Sequence, residues 1–407
     1  MSGFEDIYSK ILDAREVLKG ISHVTRLDMS STFSRMTGGE IYLKLENLQK
    51  TGSFKVRGAA YAMSQLSDNE KKAGVIAASA GNHAQGVAYA ATRLGLKSTI
   101  VMPIFSPIAK IHATQGYGAD VILHGATFDD ALAHALETAE NTGATFLHPF
   151  NDEDVIAGQG TIGLEILDEL PDVEIVAIPV GGGGISTGIA VAIKEQKPDV
   201  EIYGAEASTA ASMLASLKAG KVTTVTDLDT VCDGIAVKTV GEKPFRIAKE
   251  LLAGSVSVED LEVTRTLFLL LERAKIVVEP AGCVALSAFQ HGKIDVKGKK
   301  AVAVLSGGNI DMSFMARVVE KELYRLGRSV RLKGTISDRV GSLNKVIELV
   351  AESGVSVIEL DQDRNDPDIA PNKTDLTMIL EVPDESAVEK LLKSFDEHGF
   401  SFHRFED

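Results

Sequence analysis

The sequence predicts an α/β fold with parallel sheets, followed by a smaller unit of different organisation. Short apolar runs alternate with amphipathic helical patterns through most of the 407 residues, as in parallel β-α-β units. After Gly327 the order becomes strand, helix, strand, strand, helix, strand. The strands expected in the first part are residues 41–45, 75–78, 99–102, 120–123, 175–179, 201–206 and 300–305.

Two domains are expected from these patterns. Residues 1–326 are predicted to form one domain, in which residues 46–150 make a small subdomain inserted in a larger one. A ligand is expected in the crevice between the subdomains, because parallel sheets bind ligands beyond the carboxyl ends of their strands. Residues 327–407 are predicted to form the second domain.

The composition is that of an acidic protein with few cysteines. With 44% hydrophobic and 24% charged residues, the chain can build more than one core. The net charge of −15 argues against a nucleic-acid partner, since no basic stripe offsets the repulsion. Cys232 and Cys283 lie far apart in sequence without metal-ligand spacing, so each is expected in a core, and a reducing compartment is implied.

Neither export nor membrane insertion is expected from the apolar segments. Residues 4–18 have the pattern of an amphipathic helix and lack the apolar centre of a signal peptide. The most apolar long segment, residues 173–193, is interrupted by glycines, so it predicts a strand, a turn and a helix. The protein is therefore expected to be cytoplasmic, with no membrane partner.

Lys55 lies between an aromatic ring and a glycine bend in the apolar stretch 52–59. A buried ammonium without a carboxylate partner is costly, and burial lowers its pKa toward the neutral amine that attacks aldehydes. Lys55 is therefore a candidate for a covalent bond to a carbonyl group. By itself the stretch is equally compatible with a surface lysine that follows a serine helix cap.

A run of four glycines indicates a binding site for a phosphate. Gly181, Gly182, Gly183 and Gly184 follow an apolar strand and precede a helical pattern. Without Cβ atoms, backbone N–H groups can converge on an anion at the positive end of the helix. A plain turn seldom needs four successive glycines, and the run has neither P-loop nor dinucleotide-type spacing. A small phosphorylated cofactor is expected.

Two further segments suit a heterocyclic ring. Ser306 ends the apolar run 301–305 and is followed by two glycines, so its hydroxyl is suited to a hydrogen bond with a ring nitrogen, although a plain turn fits too. The small residues of segment 79–86 can form an anion nest, and the amide of Asn82 can donate to a phenolic oxygen. Together with the lysine and the glycine run, these features describe a pyridoxal phosphate pocket.

Segments 53–55, 79–86, 181–184 and 306–309 resemble, in this order, the motifs of the threonine/serine dehydratase family, which are fold-type II (tryptophan synthase β-like) pyridoxal phosphate enzymes. The resemblance covers roughly the first four-fifths of the chain. It implies a two-subdomain fold with pyridoxal 5'-phosphate as cofactor. It also implies that Lys55 binds the cofactor covalently and handles the substrate α-proton, with Phe54 packed near the ring.

The other implied contacts divide between cofactor and substrate. Asn82 is expected at the ring hydroxyl, Ser306 at the pyridine nitrogen and the four glycines at the phosphate. The substrate carboxylate is expected at Ser79, Ala80, Gly81, Asn82 and His83.

The implied reaction is deamination of L-threonine to 2-oxobutanoate and ammonia, with L-serine giving pyruvate as a secondary activity. Val56 stands where sulfhydrylases and threonine synthases of this fold usually carry aspartate, which disfavours those reactions. Ala80 stands where serine racemases carry the serine that moves a proton on the face opposite the lysine, and alanine cannot do so. A serine dehydratase or racemase remains the alternative enzyme, and a non-catalytic amino-acid sensor the alternative from another class.

A cation site is also implied by resemblance. Glu206, Ala210 and Ser212 resemble the site in serine dehydratases that combines one carboxylate with carbonyl and hydroxyl oxygens. One charged ligand among neutral oxygens favours K⁺ or Na⁺ over a divalent ion. A solvated glutamate at a strand end explains Glu206 equally well at this point.

The C-terminal order of elements is ferredoxin-like and resembles an ACT domain, a module that senses amino acids. The turn with Asp338, Gly341, Ser342 and Leu343 matches its ligand-binding turn, although Val340 stands where proline is common. The resemblance implies an effector such as isoleucine or valine, or else a dimerisation module without ligand. A homodimer or homotetramer is expected, and a catabolic and a biosynthetic role both stay open.

Overall fold

The computed structural model describes residues 3–405, so the outermost residues of the predicted domains, 1–2 and 406–407, lie outside the described residues. The chain divides into two compact units, one up to Ile310 and one from Asp311. The helices are α1 (Glu5–Val17), α2 (Ser31–Thr37), α3 (Lys55–Ser64), α4 (Asp68–Ala73), α5 (Asn82–Leu94), α6 (Ile108–Gly116), α7 (Phe128–Thr142), α8 (Glu153–Glu169), α9 (Gly184–Gln196), α10 (Ser212–Ala219), α11 (Glu242–Leu251), α12 (Asp260–Leu269), α13 (Pro280–Gln290), α14 (Met312–Arg325), α15 (Ser342–Glu352) and α16 (Glu385–Glu397).

The strands form three sheets. Two of the sheets belong to the N-terminal unit and one to the C-terminal unit. The strands are β1 (Leu27–Met29), β2 (Glu40–Leu45), β3 (Val75–Ala78), β4 (Ser98–Met102), β5 (Asp120–Leu123), β6 (Thr145–Phe146), β7 (Ile175–Pro179), β8 (Glu201–Ala207), β9 (Gly254–Val258), β10 (Lys300–Leu305), β11 (Ser329–Ser337), β12 (Ser356–Asp363), β13 (Lys373–Glu381) and β14 (Ser401–Arg404).

The larger sheet of the N-terminal unit has the order β1-β2-β10-β7-β8-β9. Its strands pair in parallel except for β1, which runs antiparallel to β2. Central strands such as β7 and β10 carry almost only buried apolar residues, because helices cover both faces of a parallel sheet. The predicted parallel architecture is confirmed, and β1 and β9 are strands that the sequence pattern did not predict.

The smaller sheet has the order β5-β4-β3-β6 and is parallel throughout. Its apolar core includes alanines of α3 and α5, whose small side chains let the two helices approach closely. A Cβ atom at Gly86 of α5 would lie 3.0 Å from the Cβ of Lys55. This close packing holds the first turn of α3 against α5.

A buried network of charged side chains anchors the other side of α3. Arg57 is 1% exposed and forms ion pairs with Glu46, 0% exposed, at 2.8 Å and with Glu165 at 2.6 Å. Glu165 also accepts from Lys44 at 2.7 Å. The charges of two basic and two acidic side chains therefore cancel inside the protein. Because Arg57 lies two residues after Lys55 on the same helix, this network also fixes the position of the lysine.

The C-terminal unit contains the predicted order of elements, β11-α15-β12-β13-α16-β14. Its antiparallel sheet has the order β12-β13-β11-β14, and an apolar core forms between the sheet and the two helices. The helix α14 groups with this unit, sixteen residues before the domain limit that the sequence suggested (327 − 311 = 16). Residues 364–372 connect β12, which ends at Asp363, to β13, which begins at Lys373.

Across residues 3–405, no helix combines the length and the apolar character needed to span a membrane.

Candidate active site

Lys55 is the first residue of α3 and points toward the backbone of another segment. Its Nζ donates a hydrogen bond to the carbonyl oxygen of Pro149 at 3.1 Å and lies 5.1 Å from the ring centroid of Phe54. Burial lowers the pKa of Lys55 to about 8, although the nearby carboxyl of Glu279 opposes this shift. The amine is therefore neutral in a large fraction of molecules at mildly basic pH, which favours the reactive lysine over the ordinary surface lysine.

This pKa predicts how the apoprotein captures an aldehyde. Only the neutral amine is nucleophilic, so the rate of pyridoxal phosphate capture should rise with pH and level off above about 8. An ordinary lysine would continue to accelerate up to about pH 10.4. Stopped-flow absorbance of the apoprotein mixed with pyridoxal phosphate between pH 6 and 10 measures the midpoint. A midpoint near 10 would show that burial does not activate Lys55.

Two neutral imidazoles lie near the lysine. His83 is buried and its Nε2 lies 3.0 Å from the carbonyl oxygen of Leu147, so this nitrogen carries the proton. Burial and the charge of Lys55 lower the pKa of His83 to about 3. Burial also lowers the pKa of His148, whose Nδ1 accepts from the backbone N–H of Asn151 at 2.9 Å. Neither ring adds a positive charge to the pocket at neutral pH.

The four-glycine run forms the turn between β7 and α9. Gly183 has the left-handed φ of 93° that favours glycine, and it directly precedes the helix. A Cβ atom at Gly182 would lie 2.1 Å from the ring of Phe150, so this glycine also makes room for an aromatic residue that the sequence did not point to. Within residues 3–405 the N–H groups of the run donate to no backbone oxygen, which leaves them free for an anion.

The turn after β10 joins the lysine segment directly. Phe54 donates its backbone N–H to the carbonyl oxygen of Ser306 at 3.2 Å, and Ser53 forms an isolated bridge with Gly307. Ser306 is 4% exposed, yet its hydroxyl forms no hydrogen bond with any other described residue. The hydroxyl is therefore available to a ligand that enters this site. This is the arrangement expected for a residue that meets a heterocyclic nitrogen.

Asn82 begins α5 and connects three segments through its side-chain amide. Its Oδ1 accepts from Asn309 at 2.6 Å, and its Nδ2 donates to Glu279 at 2.7 Å. Glu279 is a residue that sequence reasoning missed. It precedes Pro280 at the start of a helix, which is an ordinary position for a glutamate, so no sequence signal distinguished it.

The segment 79–83 leads into the amino end of α5. Gly81 is the residue before the helix and provides no side-chain cap, while the hydroxyl of Ser79 accepts the N–H of Gly81 at 3.1 Å. The first N–H groups of α5 therefore remain available to an anion at the positive end of a helix. The carboxylate of an amino acid fits this position.

The lysine, the glycine run, Asn82 and Ser306 thus belong to one continuous set of contacts, and a family comparison agrees with the chemistry that they suggest. The family model described as "Pyridoxal-phosphate dependent enzyme" matches residues 20–307. The chain belongs to this family. The partnerless hydroxyl of Ser306, the free N–H groups of the glycine run and the activated Lys55 each fit a part of pyridoxal phosphate.

Individual members of the pyridoxal-phosphate dependent family are similar over most of the chain. An L-threonine ammonia-lyase of Thermotoga maritima is 47% identical over 390 residues, which are 96% of this chain and 97% of that protein. The solved structure of a processed threonine deaminase isoform 2 from Solanum lycopersicum is 40% identical, has a TM-score of 0.74, and covers 78% of this chain and 88% of its own. A maize serine racemase structure is 30% identical with a TM-score of 0.72, covering 78% and 98% respectively.

One of the three residues predicted to bind a cation in this pyridoxal-phosphate dependent enzyme, Glu206, has a buried carboxyl group. Glu206 is 0% exposed, so the solvated glutamate considered above is wrong. Its carboxyl accepts the N–H groups of Met213 at 2.7 Å and Leu214 at 2.8 Å, and the hydroxyl of Ser255 at 2.7 Å. Burial raises the pKa of Glu206 to about 7 despite these hydrogen bonds. Glu206 therefore caps the amino end of α10.

The other two residues of this group are buried as well. Ala210 is 1% and Ser212 0% exposed, and the hydroxyl of Ser212 has no hydrogen-bond partner in the described part of the chain. Among residues 3–405 no cluster of three or more His, Cys, Asp or Glu side chains forms a metal site. The oxygens that Ala210 and Ser212 contribute beside the Glu206 carboxyl are neutral.

The predicted effector residues lie in the C-terminal unit. Gly341 has a left-handed φ of 92° and precedes α15, whose first residues are Ser342 and Leu343. The carboxyl of Asp338 pairs with Arg364 at 3.2 Å. Leu343 packs against the core of the unit, and Val340 is fully exposed. The turn thus combines a helix start without a side-chain cap and an ion pair.

Proposed function

We propose that this chain deaminates L-threonine to 2-oxobutanoate and ammonia with pyridoxal 5'-phosphate, and L-serine to pyruvate as a secondary activity. The proposal rests on one observation above all. A lysine with a pKa of about 8 shares a continuous set of contacts with a free helix start, a glycine run and a partnerless serine hydroxyl. Each group matches one part of the cofactor or of an α-amino acid, and the threonine ammonia-lyase similarity over 96% of the chain supports the substrate.

The proposed roles follow from these environments. Lys55 would hold the cofactor covalently until the amino group of the substrate displaces it, and the freed, neutral Nζ would then take the α-proton of the substrate. The N–H groups at the start of α5, with Ser79 and His83 nearby, hold the substrate carboxylate. The residues 181–184 hold the phosphate, and Asn82 and Ser306 hold the ring. The bound cofactor supplies the electron sink for the carbanion that forms when the proton leaves.

Steady-state turnover of L-threonine and L-serine by the purified, cofactor-loaded protein tests this function. The expected result is 2-oxobutanoate and pyruvate, with the higher kcat/KM for L-threonine. A higher value for L-serine would favour the serine dehydratase alternative. Absence of both products in a protein that binds pyridoxal phosphate would favour the non-catalytic sensor, against which the intact set of Lys55, Asn82 and Ser306 argues.

Ala80 separates elimination from racemisation. Inverting an amino acid requires a proton donor on the face opposite Lys55, and the methyl group of Ala80 cannot supply one. With L-serine as substrate, D-serine should therefore form at about one hundredth of the pyruvate rate or less. Chiral chromatography of timed samples measures both products, and Ala80→Ser is the matched variant in which D-serine should increase. Comparable rates of D-serine and pyruvate in the parent protein would support a racemase instead.

The C-terminal unit is proposed to be an ACT-like regulatory domain. Support comes from its order of elements and from the start of α15, which no side chain caps and where the N–H groups of Leu343 and Asn344 can hold the carboxylate of isoleucine or valine. Control by these amino acids would suit an enzyme of isoleucine biosynthesis. A homodimer or homotetramer is part of the same proposal, in which α14 precedes the ACT-like part that the sequence predicts after residue 326. A K⁺ or Na⁺ ion bound near Glu206, Ala210 and Ser212 is proposed as a further component.

A charge at the start of α15 should abolish any effector response. Ser342→Asp adds a negative charge where an effector carboxylate would bind, while acidic residues at this position suit the helix itself. Ser342→Asn is the neutral control of similar size. Isothermal calorimetry with isoleucine and valine should show binding to the parent and the control, and none to Ser342→Asp, with threonine turnover retained in all three. Equal binding by Ser342→Asp would place the effector elsewhere, and no binding by the parent would leave a dimerisation module.

A further inference from the structure

The carboxyl of Glu279 is buried beside the proposed site of the cofactor ring and does not cap the helix that follows it. Glu279 precedes α13 but makes no side-chain cap for that helix. The side chain turns away into the interior, where the residue is 6% exposed. Its backbone N–H donates to the carbonyl oxygen of Gly307 at 3.0 Å, which holds it against the turn after β10.

A glycine in the turn after β10 makes room for this carboxyl. A Cβ atom at Gly307 would lie 2.3 Å from Oε1 of Glu279 and 3.1 Å from Nδ2 of Asn82. Gly234 lies on another side, where a Cβ atom would make an ordinary van der Waals contact with the same Oε1 at 3.6 Å. The carboxyl therefore occupies the point at which the start of α5, the start of α13 and the turn after β10 meet.

The hydrogen bonds around Glu279 form a chain with a fixed direction. Nδ2 of Asn309 donates to the backbone carbonyl of Thr51 at 2.9 Å, and a carbonyl oxygen can only accept. The same Nδ2 donates to Oδ1 of Asn82 at 2.6 Å, so Nδ2 of Asn82 must face the other way, toward Glu279. That nitrogen gives one of its two protons to Glu279 at 2.7 Å. The other proton has no acceptor within residues 3–405.

Stability alone does not explain why a carboxyl stands here. Burial and the charge of Asp233 raise the pKa of Glu279 to about 7, although Asn82, Lys110 and Lys55 oppose the shift. Its one side-chain hydrogen bond among the described residues comes from Asn82, a neutral donor. A buried carboxyl with a single neutral partner is a net cost to folding. Its consistent effect is to fix the orientation of the Asn82 amide.

We infer that Glu279 is a positioning residue that acts through Asn82. As the terminal acceptor of the chain from Thr51, it holds the Asn82 amide so that the remaining N–H stays available to the ring hydroxyl of pyridoxal phosphate. This inference rests on the proposed contact between Asn82 and the cofactor. Without the Glu279 carboxyl, only Asn309 holds the Asn82 amide, and the free N–H of Asn82 is no longer directed toward the ring hydroxyl.

Two conservative variants distinguish the effect of side-chain length at position 279 from the effect of its charge. Glu279→Gln keeps an acceptor oxygen at the same distance but has no charge, whereas Glu279→Asp keeps the charge and is too short by one methylene. The apoprotein should bind pyridoxal phosphate with a Kd within about twofold of the parent in Glu279→Gln and about tenfold weaker in Glu279→Asp. Equilibrium absorbance titration of the apoproteins gives these values. Tenfold weakening in Glu279→Gln with parent-like binding in Glu279→Asp would show that the charge matters and overturn the inference.

A double-mutant cycle tests whether the effect passes through Asn82. Glu279→Asp in an Asn82→Ala background should weaken cofactor binding by no more than about twofold, because the amide that it positions is gone. A full tenfold loss in that background, or no loss in either background, would overturn the inference. The thermal midpoints of the apoproteins should agree to within a few degrees. If the parent itself fails to bind pyridoxal phosphate, the proposed function is wrong, which the same titration reveals separately.

Discussion

Replacing Lys55 by alanine is expected to abolish deamination and covalent cofactor binding while the fold is retained. Lys55 is the group that combines a lowered pKa of about 8 with a position among the free helix start, the glycine run and the serine turn. Loss of the amine removes both the covalent bond and the proton acceptor, so turnover of L-threonine should fall by a factor on the order of 10⁴ or more. A coupled assay for 2-oxobutanoate measures the loss, and the visible absorbance of the loaded protein should disappear with it.

An exposed lysine in the same segment provides the control. Lys50 lies five residues earlier (55 − 50 = 5) on the surface. Lys50→Ala should therefore keep the parent's turnover and absorbance. The far-UV circular dichroism of both variants should match that of the parent, because removal of Lys55 leaves only the carbonyl of Pro149 without its hydrogen bond. Normal turnover by Lys55→Ala would show that another group performs the chemistry.

Replacing Arg57 by leucine is expected to give the largest loss of stability. Arg57 neutralises Glu46 and Glu165 inside the protein, and its removal leaves two buried carboxylates with Lys44 as the remaining basic partner. Removing one partner of a buried ion pair costs about 3–5 kcal/mol. Urea unfolding followed by fluorescence or circular dichroism should show this decrease for the N-terminal unit. Cofactor affinity should fall too, since Arg57 anchors the helix that begins with Lys55.

The matched control for this prediction is an exposed arginine of the same unit. Arg15 pairs with Asp168 at 2.6 Å, but the two side chains are 46% and 52% exposed. Solvent weakens such a pair, so Arg15→Leu should change the free energy of unfolding by less than about 1 kcal/mol. Equal effects of the two substitutions would mean that burial does not determine the contribution of the Arg57 network.

Local chemistry could be predicted from the sequence because it depends on residue type and neighbours. The glycine run after an apolar strand, the serine at the end of β10 and the single lysine beside Phe54 each carry their signal within a few residues. Long-range contacts carry no such signal. The ring of Phe150 against Gly182 and the hydrogen bond between Asn82 and Glu279 join residues far apart in the chain, and Glu279 looks like any glutamate before a helix.

In the fold, too, the elements with a strong local sequence pattern could be predicted and those that depend on long-range packing could not. Strands buried on both faces, such as β3, β7 and β10, were predicted with their observed limits, because continuous apolar runs bounded by turns are a strong pattern. The strands β1 and β6 are only three and two residues long, and β9 has serine at positions 255 and 257, so none of them is a continuous apolar run. The helix α14 has no sequence feature that assigns it to one unit, and only its packing does so.

Reduction of the cofactor-loaded protein with borohydride, followed by peptide mass mapping, tests the central claim most directly. Borohydride converts the bond between a lysine and pyridoxal phosphate into a stable adduct that survives digestion. The account predicts a phosphopyridoxyl group on Lys55, in a protein that deaminates L-threonine before reduction and not after it. An adduct on another lysine, or an unmodified Lys55 in a protein that is active with L-threonine, would contradict the account.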